Sequence, residues 1–273
     1  MKLICQRYSV VIAGCVRDAA RYLPAVLINI ERMARMFAQA RVVICENDSA
    51  DRSRDLLSAW QRSTQLEQRV VCRHQPLSGR VPRIAAARNH LLDIISGNGW
   101  DDADYLIMMD MDEVCSSVQL SGLASSFSLP VQWDMVGANQ RHYYYDFFPL
   151  RTEKFNHNPF APAYRDRWSR GVDLGCWFAP GQYRGQGFPE TARPLPVLSC
   201  FGGLGIYRMA AIRDLRYRPE PVLAADGSHY VHPETGRPEY ECEHVSLHRQ
   251  MRQAGFDRMY INPAMIIHGI FLR

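Results

Sequence analysis

Lysine is almost missing from this chain. Of its 32 lysine and arginine residues, only Lys2 and Lys154 are lysine. No Lys/Arg-rich run occurs and the formal net charge is only +4, so nucleic acid is not an expected partner. No CxxC pair occurs among the 8 cysteines, which tells against a zinc knuckle. No GxGxxG follows the first strand-like run, which tells against a dinucleotide oxidoreductase. The same place, "AGCVRDAARYL", offers one glycine and no lysine, unlike the phosphate loop of a sugar-phosphate nucleotidyltransferase. Long apolar runs are missing too. "YSVVIAGCV" is far too short to span a bilayer. With no secretory signal and scattered thiols among apolar residues, a reducing, cytoplasmic compartment is the expectation.

What is present is an ordinary globular composition, 47% hydrophobic and 22% charged over 273 residues. The length suits one large α/β domain with extensions, or two small ones. The arginine skew supplies planar donors that suit phosphates, although a GC-rich genome alone would produce it. Residues 8 to 13, "YSVVIA", read as a buried strand. A helix follows, with Asp18 as a candidate cap and Leu23, Val26, Leu27, Ile30, Met33, Ala34 and Phe37 at helical spacing. Residues 41 to 45 form a second strand ending in "ENDSAD", where Asp48 or Ser49 could cap the helix of "DRSRDLLSAW". "RVVCRH" is a third strand, "PRIAAARNHLLDII" a helix and "DYLIMMD" a fourth strand. This alternation through residues 8 to 114 predicts a mostly parallel sheet flanked by helices. Later come an aromatic strand in "WDMVGANQRHYYYDFF", a turn and short strand in "SCFGGLGIY", a helix with an acidic front in "PEYECEHVSLHRQMRQAG", and a final strand in "MYINPAMIIHGI".

Open α/β sheets bind ligands beyond the carboxyl ends of their strands. The groups there are Arg17 and Asp18, Glu46 to Asp48, and Asp110 to Glu113. Crowded carboxylates repel unless a counter-charge joins them, and a divalent cation is the simple one. Asp110 and Asp112, two apart on extended backbone, point to the same side. Mg²⁺ and Mn²⁺ take such oxygens together with substrate phosphates. A solvated acidic turn is the plain alternative.

The order "VVIAGCVRDAARYLP", "VVICENDSADRS", "RIAAARNHLL", "DYLIMMDMDEV" resembles the nucleotide-binding half of GT-A glycosyltransferases. With "SCFGGLGIY" it is most similar to the fungal capsule-associated α-mannosyltransferase family and other D-x-D-E glycosyltransferases. The resemblance implies a Rossmann-like, mixed, mostly parallel sheet with a nucleotide-sugar-binding half, residues 1–120, and an acceptor-side half, residues 121–273. It implies that Arg17, Glu46, Asn47 and Asp48 contact base and ribose. Arg83, Arg88 and Asn89 would line the diphosphate or nucleoside. Asp112 would be the chief metal ligand, with Asp110 on the metal or ribose and Met111 between them on the donor side. An ordinary strand-end loop at Glu46–Asp48, and an ion pair of Arg88 within its own helix face, are the structural alternatives.

The second half offers acceptor-side candidates. Gly202 and Gly203 let backbone approach a ligand closely, or merely form a tight turn. Tyr144, within "HYYYDFF", could stack on a sugar ring, or face a core. On a helix, Glu241 and His244 share a face, as do His244 and His248. The resemblance points to Glu243, with Glu241 second, as the carboxylate that deprotonates an acceptor in inverting enzymes, or that binds the donor sugar in retaining ones. It also points to His268 as a third metal ligand, a role neutral imidazole can fill. Retention and inversion both stay open, with the mannosyltransferase-like features leaning toward retention. The expectation is therefore a Mn²⁺- or Mg²⁺-dependent hexosyltransferase. It would move sugar from a nucleoside-diphosphate donor to a glycan or glycolipid hydroxyl in surface polysaccharide or lipopolysaccharide synthesis. A non-catalytic nucleotide-sugar-binding protein of the same fold is the alternative. A lipid-linked acceptor would bring the chain to the inner membrane face.

Overall fold

The computed structural model describes residues 2–74, 77, 79–141, 144–159, 161, 187–224 and 226–267. The strands are β1 (Ser9–Val16), β2 (Gln39–Glu46), β3 (Glu67–Cys72), β4 (Tyr105–Asp110), β5 (Met135–Gln140), β6 (Leu195–Pro196), β7 (Leu204–Arg208) and β8 (Met259–Ile267). The helices are α1 (Lys2–Cys5), α2 (Leu23–Ala34), α3 (Ser53–Ser63), α4 (Arg80–Gly97), α5 (Leu120–Ser125) and α6 (Glu243–Gln253). The strands form one sheet in the order β3-β2-β1-β4-β7-β5-β8-β6. β1 runs parallel to β2 and β4, β2 to β3, and β5 to β8. β7 is antiparallel to both β4 and β5, and β6 to β8.

β1 is buried along nearly its whole length because helices cover both faces of the sheet. Val11 and Ala13 join a core with Val43, Met108 and the α4 residues Ala85 and Leu91. The alternate residues Val10 and Ile12 join another, with Leu23, Val26 and Ile30 of α2 and Leu57 and Trp60 of α3. The chain builds outward from β1 through β2 to β3, then returns to lay β4 on the other side of β1. The carboxyl ends of β1 and β4 flank that reversal, where such sheets bind ligands.

Three local expectations are corrected. Asp18 does not cap α2: the cap position is Tyr22, without a side-chain bond. Asp18 instead takes a left-handed φ of 49°, and its Oδ1 accepts from the Ala50 N–H at 2.7 Å. Neither Asp48 nor Ser49 caps α3, whose cap position is Arg52. Ser49 Oγ accepts from the Asp18 N–H at 3.0 Å, so the two loops latch each other. Two further bonds complete that latch, Ala19 N–H to Ser53 Oγ at 3.0 Å and Ala20 N–H to Asp51 Oδ2 at 2.9 Å. Finally, the last helix begins at Glu243, so Glu241 lies outside it and shares no helix face with His244. Among the described residues, no helix is long and apolar enough to cross a membrane.

Candidate active site

β1 ends in Cys15 and Val16 with Arg17 following, β2 in Glu46 with Asn47 following, and β4 in Asp110 with Met111 and Asp112 following. Parallel pairing brings these ends to one edge, with Cys15 in register with both Cys45 and Asp110. A cavity of about 330 Å³ opens there. Arg17 and Asn47 line it from the first two strand ends, Arg80 and Arg83 from the first turn of α4, and Asp110, Met111 and Asp112 from β4. Met111 forms its floor: the side chain is buried and tucks beneath Gly14, where a Cβ would come within 2.6 Å of it. Asn47 Oδ1 is buried without a hydrogen-bond partner.

Asp110 sits at the end of β4, its N–H donated to the Gly203 carbonyl at 2.8 Å. Its Oδ1 accepts from Arg88 Nη2 at 3.1 Å. Burial pushes its pKa up to about 7, with the Asp112 and Asp146 charges adding to the rise while Arg88 opposes it. Asp112 keeps extended backbone and caps a short 3₁₀ turn, Oδ1 accepting from the Val114 N–H at 3.1 Å. Burial raises its pKa as well. Of the two, only Asp110 is ion-paired among the described residues, to Arg88, and two carboxylates on one wall are a donor set that a hard cation can join. Among the described residues, no three His, Cys, Asp or Glu side chains converge as a metal cage. A cation on Asp110 and Asp112 would therefore complete its shell with ligand oxygens and water, as Mg²⁺-type ions commonly do.

Several expected residues serve the scaffold. Arg88 is buried, and its fork joins Asp110, Glu243 and the His244 ring nitrogen Nε2, 2.7 Å away. The guanidinium also lies 4.9 Å from the Phe201 ring centroid. Asn89 brackets Tyr217, donating to its carbonyl at 2.9 Å and accepting its N–H at 2.8 Å. Glu46 is fully buried and shapes the β2 loop through the Ser49 N–H and Arg54 Nε, each at 2.6 Å. Asp48 follows with a φ of 55°, and its Oδ1 is 3.0 Å from His74 Nδ1. Behind Arg88 a buried polar chain continues. Tyr207 Oη lies 3.4 Å from His244 Nδ1 and 3.1 Å from His248 Nε2, and Ser199 Oγ lies 2.8 Å from His248 Nδ1.

Of the residues expected on the acceptor side, Gly202 and Gly203 take φ of 71° and 83°, where only glycine is unstrained. Glu241 accepts from Arg151 Nη2 at 2.6 Å and Glu243 is ion-paired to Arg88, so neither lines the cavity. Tyr144 is fully buried, edge-on to Phe147 and Phe188, with no face toward the cavity. His268 lies outside the described residues. Sequence reasoning missed two residues. Arg80 lies two residues before the segment "PRIAAARNHLLDII" read as a helix, whereas the helix starts at Arg80 itself. Asp146 is the one carboxylate in "HYYYDFF", hidden by its aromatic neighbours.

No protein-family model matches the sequence, and no curated protein does. Solved structures match along nearly the whole chain. The mannosyltransferase PcManGT from Pyrobaculum calidifontis, in complex with GDP-Man and Mn²⁺, superposes with a TM-score of 0.52 at 12% identity, over 95% of this chain and 56% of that one. Glucosyl-3-phosphoglycerate synthase from Mycobacterium tuberculosis, in complex with phosphoglyceric acid, gives 0.52 at 13% identity, over 100% of this chain and 75% of that one. The fold is the GT-A fold. S. aureus TarS 1–349 in complex with UDP-GlcNAc is also similar, with a TM-score of 0.50 at 12% identity, over 95% of this chain and 57% of that one. At such identities the likeness is one of GT-A architecture, and chemistry has to be argued from the site. The chain spans little more than half the length of PcManGT and TarS.

Proposed function

We propose that this chain is a metal-dependent glycosyltransferase that moves a hexosyl group from a nucleoside-diphosphate sugar to a hydroxyl of a glycan or glycolipid. One observation carries the reading: Asp110 and Asp112 share a single cavity with Arg17, Arg80 and Arg83 at the GT-A sheet edge. A cation held by the carboxylates, facing three arginines, matches the charge of a diphosphate. The nucleoside would lie toward Asn47, which lines the cavity at the end of β2. The GT-A structures bound to GDP-Man with Mn²⁺ and to UDP-GlcNAc support that class of donor.

Mn²⁺ or Mg²⁺ on Asp110 and Asp112 would neutralise charge on the departing diphosphate. Arg80 and Arg83 would hold its oxygens, since guanidinium forks suit phosphate. Arg88 would fix Asp110 from behind, and the Gly203 carbonyl would fix its backbone. The leaning toward the fungal capsule-associated α-mannosyltransferases, and toward surface-polysaccharide synthesis, rests on the sequence motifs.

The test is a thermal-shift panel of UDP, GDP, CDP and dTDP, each with and without Mn²⁺. A ligand that binds only the folded state raises Tm by mass action. A shift with one diphosphate, only when metal is present, is expected. No shift with any of the four would remove the donor site. A shift without turnover of the matching sugar donor would leave a non-catalytic binder.

A further inference from the structure

The two carboxylates that the sequence offers as an acceptor-side base are both occupied. Glu241 Oε1 accepts from Arg151 Nη2 at 2.6 Å and from the Cys242 N–H at 2.8 Å. Glu243 Oε1 is taken by Arg88, and the side chain is only 4% exposed. Asp146 differs from both in having no ion-pair partner among the described residues. It is half-buried, and the Gly202 N–H donates to its Oδ2 at 2.8 Å. Among the described residues, Oδ1 accepts none.

Its placement relative to Asp110 is tightly built. Consecutive residues of one turn hold the two carboxylate-bearing residues: the Gly202 N–H binds Asp146, and the Gly203 carbonyl binds the Asp110 N–H at 2.8 Å. The turn is closely packed on both glycines. A Cβ on Gly202 would lie 2.3 Å from the Ala138 carbonyl oxygen, and one on Gly203 would lie 2.4 Å from Val114 Cγ1. The charges that reach Asp146 are those of Arg80 on the cavity wall and of the buried Glu243–Arg88 pair behind it, with Asp110 feeling Asp146 in return.

We propose that Asp146 is the catalytic base of the transfer. The assignment rests on the glycosyltransferase reading above. Asp146 Oδ1 takes the proton of the acceptor hydroxyl as that oxygen bonds to the anomeric carbon. The bond from that carbon to the diphosphate oxygen breaks, and the diphosphate leaves with the electron pair. A single displacement of this kind inverts the anomeric centre, against the leaning toward retention that the sequence motifs carry. Burial holds the pKa of Asp146 up at about 6, with Glu243 adding and the Gly202 N–H, Arg80 and Arg88 opposing. A base poised near the working pH is more effective than an ordinary carboxylate.

The experiment uses the full chain with Mn²⁺, a donor panel of UDP-glucose, UDP-GlcNAc and GDP-mannose, and water as the acceptor. Released nucleoside diphosphate is measured, and the anomer of the released sugar is read by NMR. Asp146→Asn, which keeps an oxygen for the Gly202 N–H, is expected to slow release by roughly 100-fold or more. Its diphosphate Tm shift should match the wild type. Asp146→Ala should be partly rescued by formate, which a merely structural side chain would not show. Release by Asp146→Asn near the wild-type rate overturns the assignment, and so does a released sugar of retained configuration. Loss of the diphosphate shift together with the rate overturns it too, by making Asp146 part of the scaffold. Wild-type diphosphate binding without release from any donor overturns the base but leaves the donor site standing. No metal-dependent shift in the wild type removes the glycosyltransferase reading itself, and the base with it.

Discussion

Asp112 gives one oxygen to the Val114 N–H, and its side chain lines the cavity. Asparagine caps a turn about as well as aspartate but is a poor partner for a hard cation. Asp112→Asn should therefore keep its urea midpoint within about 0.5 kcal/mol of wild type. The Mn²⁺-dependent diphosphate shift should vanish, and an undiminished shift would take Asp112 out of the metal site. Arg88 is the opposite kind of residue, buried and committed to the interior. Arg88→Met strands Glu243 as a buried charge, and removing one partner of such a pair costs about 3–5 kcal/mol. Arg88→Met with Glu243→Leu should recover much of that loss. A double variant no more stable than the single one would place the cost elsewhere. The motif "RIAAARN" pointed to Arg88 but could not show which way it faces. Its partner Glu243 stands 155 positions away, and only packing α6 against α4 brings the two together.

Elements with strong periodicity were legible: β1, β2 and β4 as apolar runs, α2 from Leu23 to Ala34 by its spacing. Their ends were not. Asp18 and Ser49 looked like caps for the helices that follow them. Each instead bonds to the other's loop, because β1 and β2 are neighbours in the sheet. Ser49→Ala should cost about 1 kcal/mol, the net worth of one such bond, and weaken diphosphate binding by loosening the Arg17 loop. An unchanged diphosphate affinity would separate the latch from the site. The Gly202–Gly203 turn allows a controlled comparison. Gly203 and Gly227 have φ of 83° and 81°, but a Cβ on Gly203 meets Val114 Cγ1 at 2.4 Å while one on Gly227 meets nothing within 4 Å. Gly203→Ala should be the costlier by about 1–3 kcal/mol, the overpacking penalty. It should also reduce the Mn²⁺-dependent shift, since the Gly203 carbonyl holds Asp110. Equal urea midpoints for the two variants would refute the close packing of that turn.

Across the whole molecule, buried histidines tie stability to acidity. Burial lowers the His248 pKa from 6.5 to about 3, with Arg252 and Arg88 adding to the effect. An unfolded chain takes up that proton near pH 6.5, whereas the folded one resists it to about 3. The unfolded state thus binds more protons between those limits, and stability contributed by neutral His248 is lost as pH falls through the window. It is whole above pH 6.5. His248→Gln, which does not titrate, should lose less stability than wild type between pH 6.5 and 3, measured by urea unfolding at stepped pH. Parallel curves would mean that His248 is not buried as a neutral group.

The sequence by itself determined the α/β alternation through residue 114, the parallel half of the sheet and the acidic end of β4. Those follow from local periodicity and from the rule that ligands gather where parallel strands end. Only the tertiary structure decided which charges face the cavity and which brace it. It put Arg80 on the wall and Arg88 in the interior, buried Tyr144, and set Asp146 beside the turn that holds Asp110. The physical reason is range. Hydrophobic patterning is written over a few neighbouring residues, but the partner of a charged group is chosen by long-range packing that no local pattern encodes.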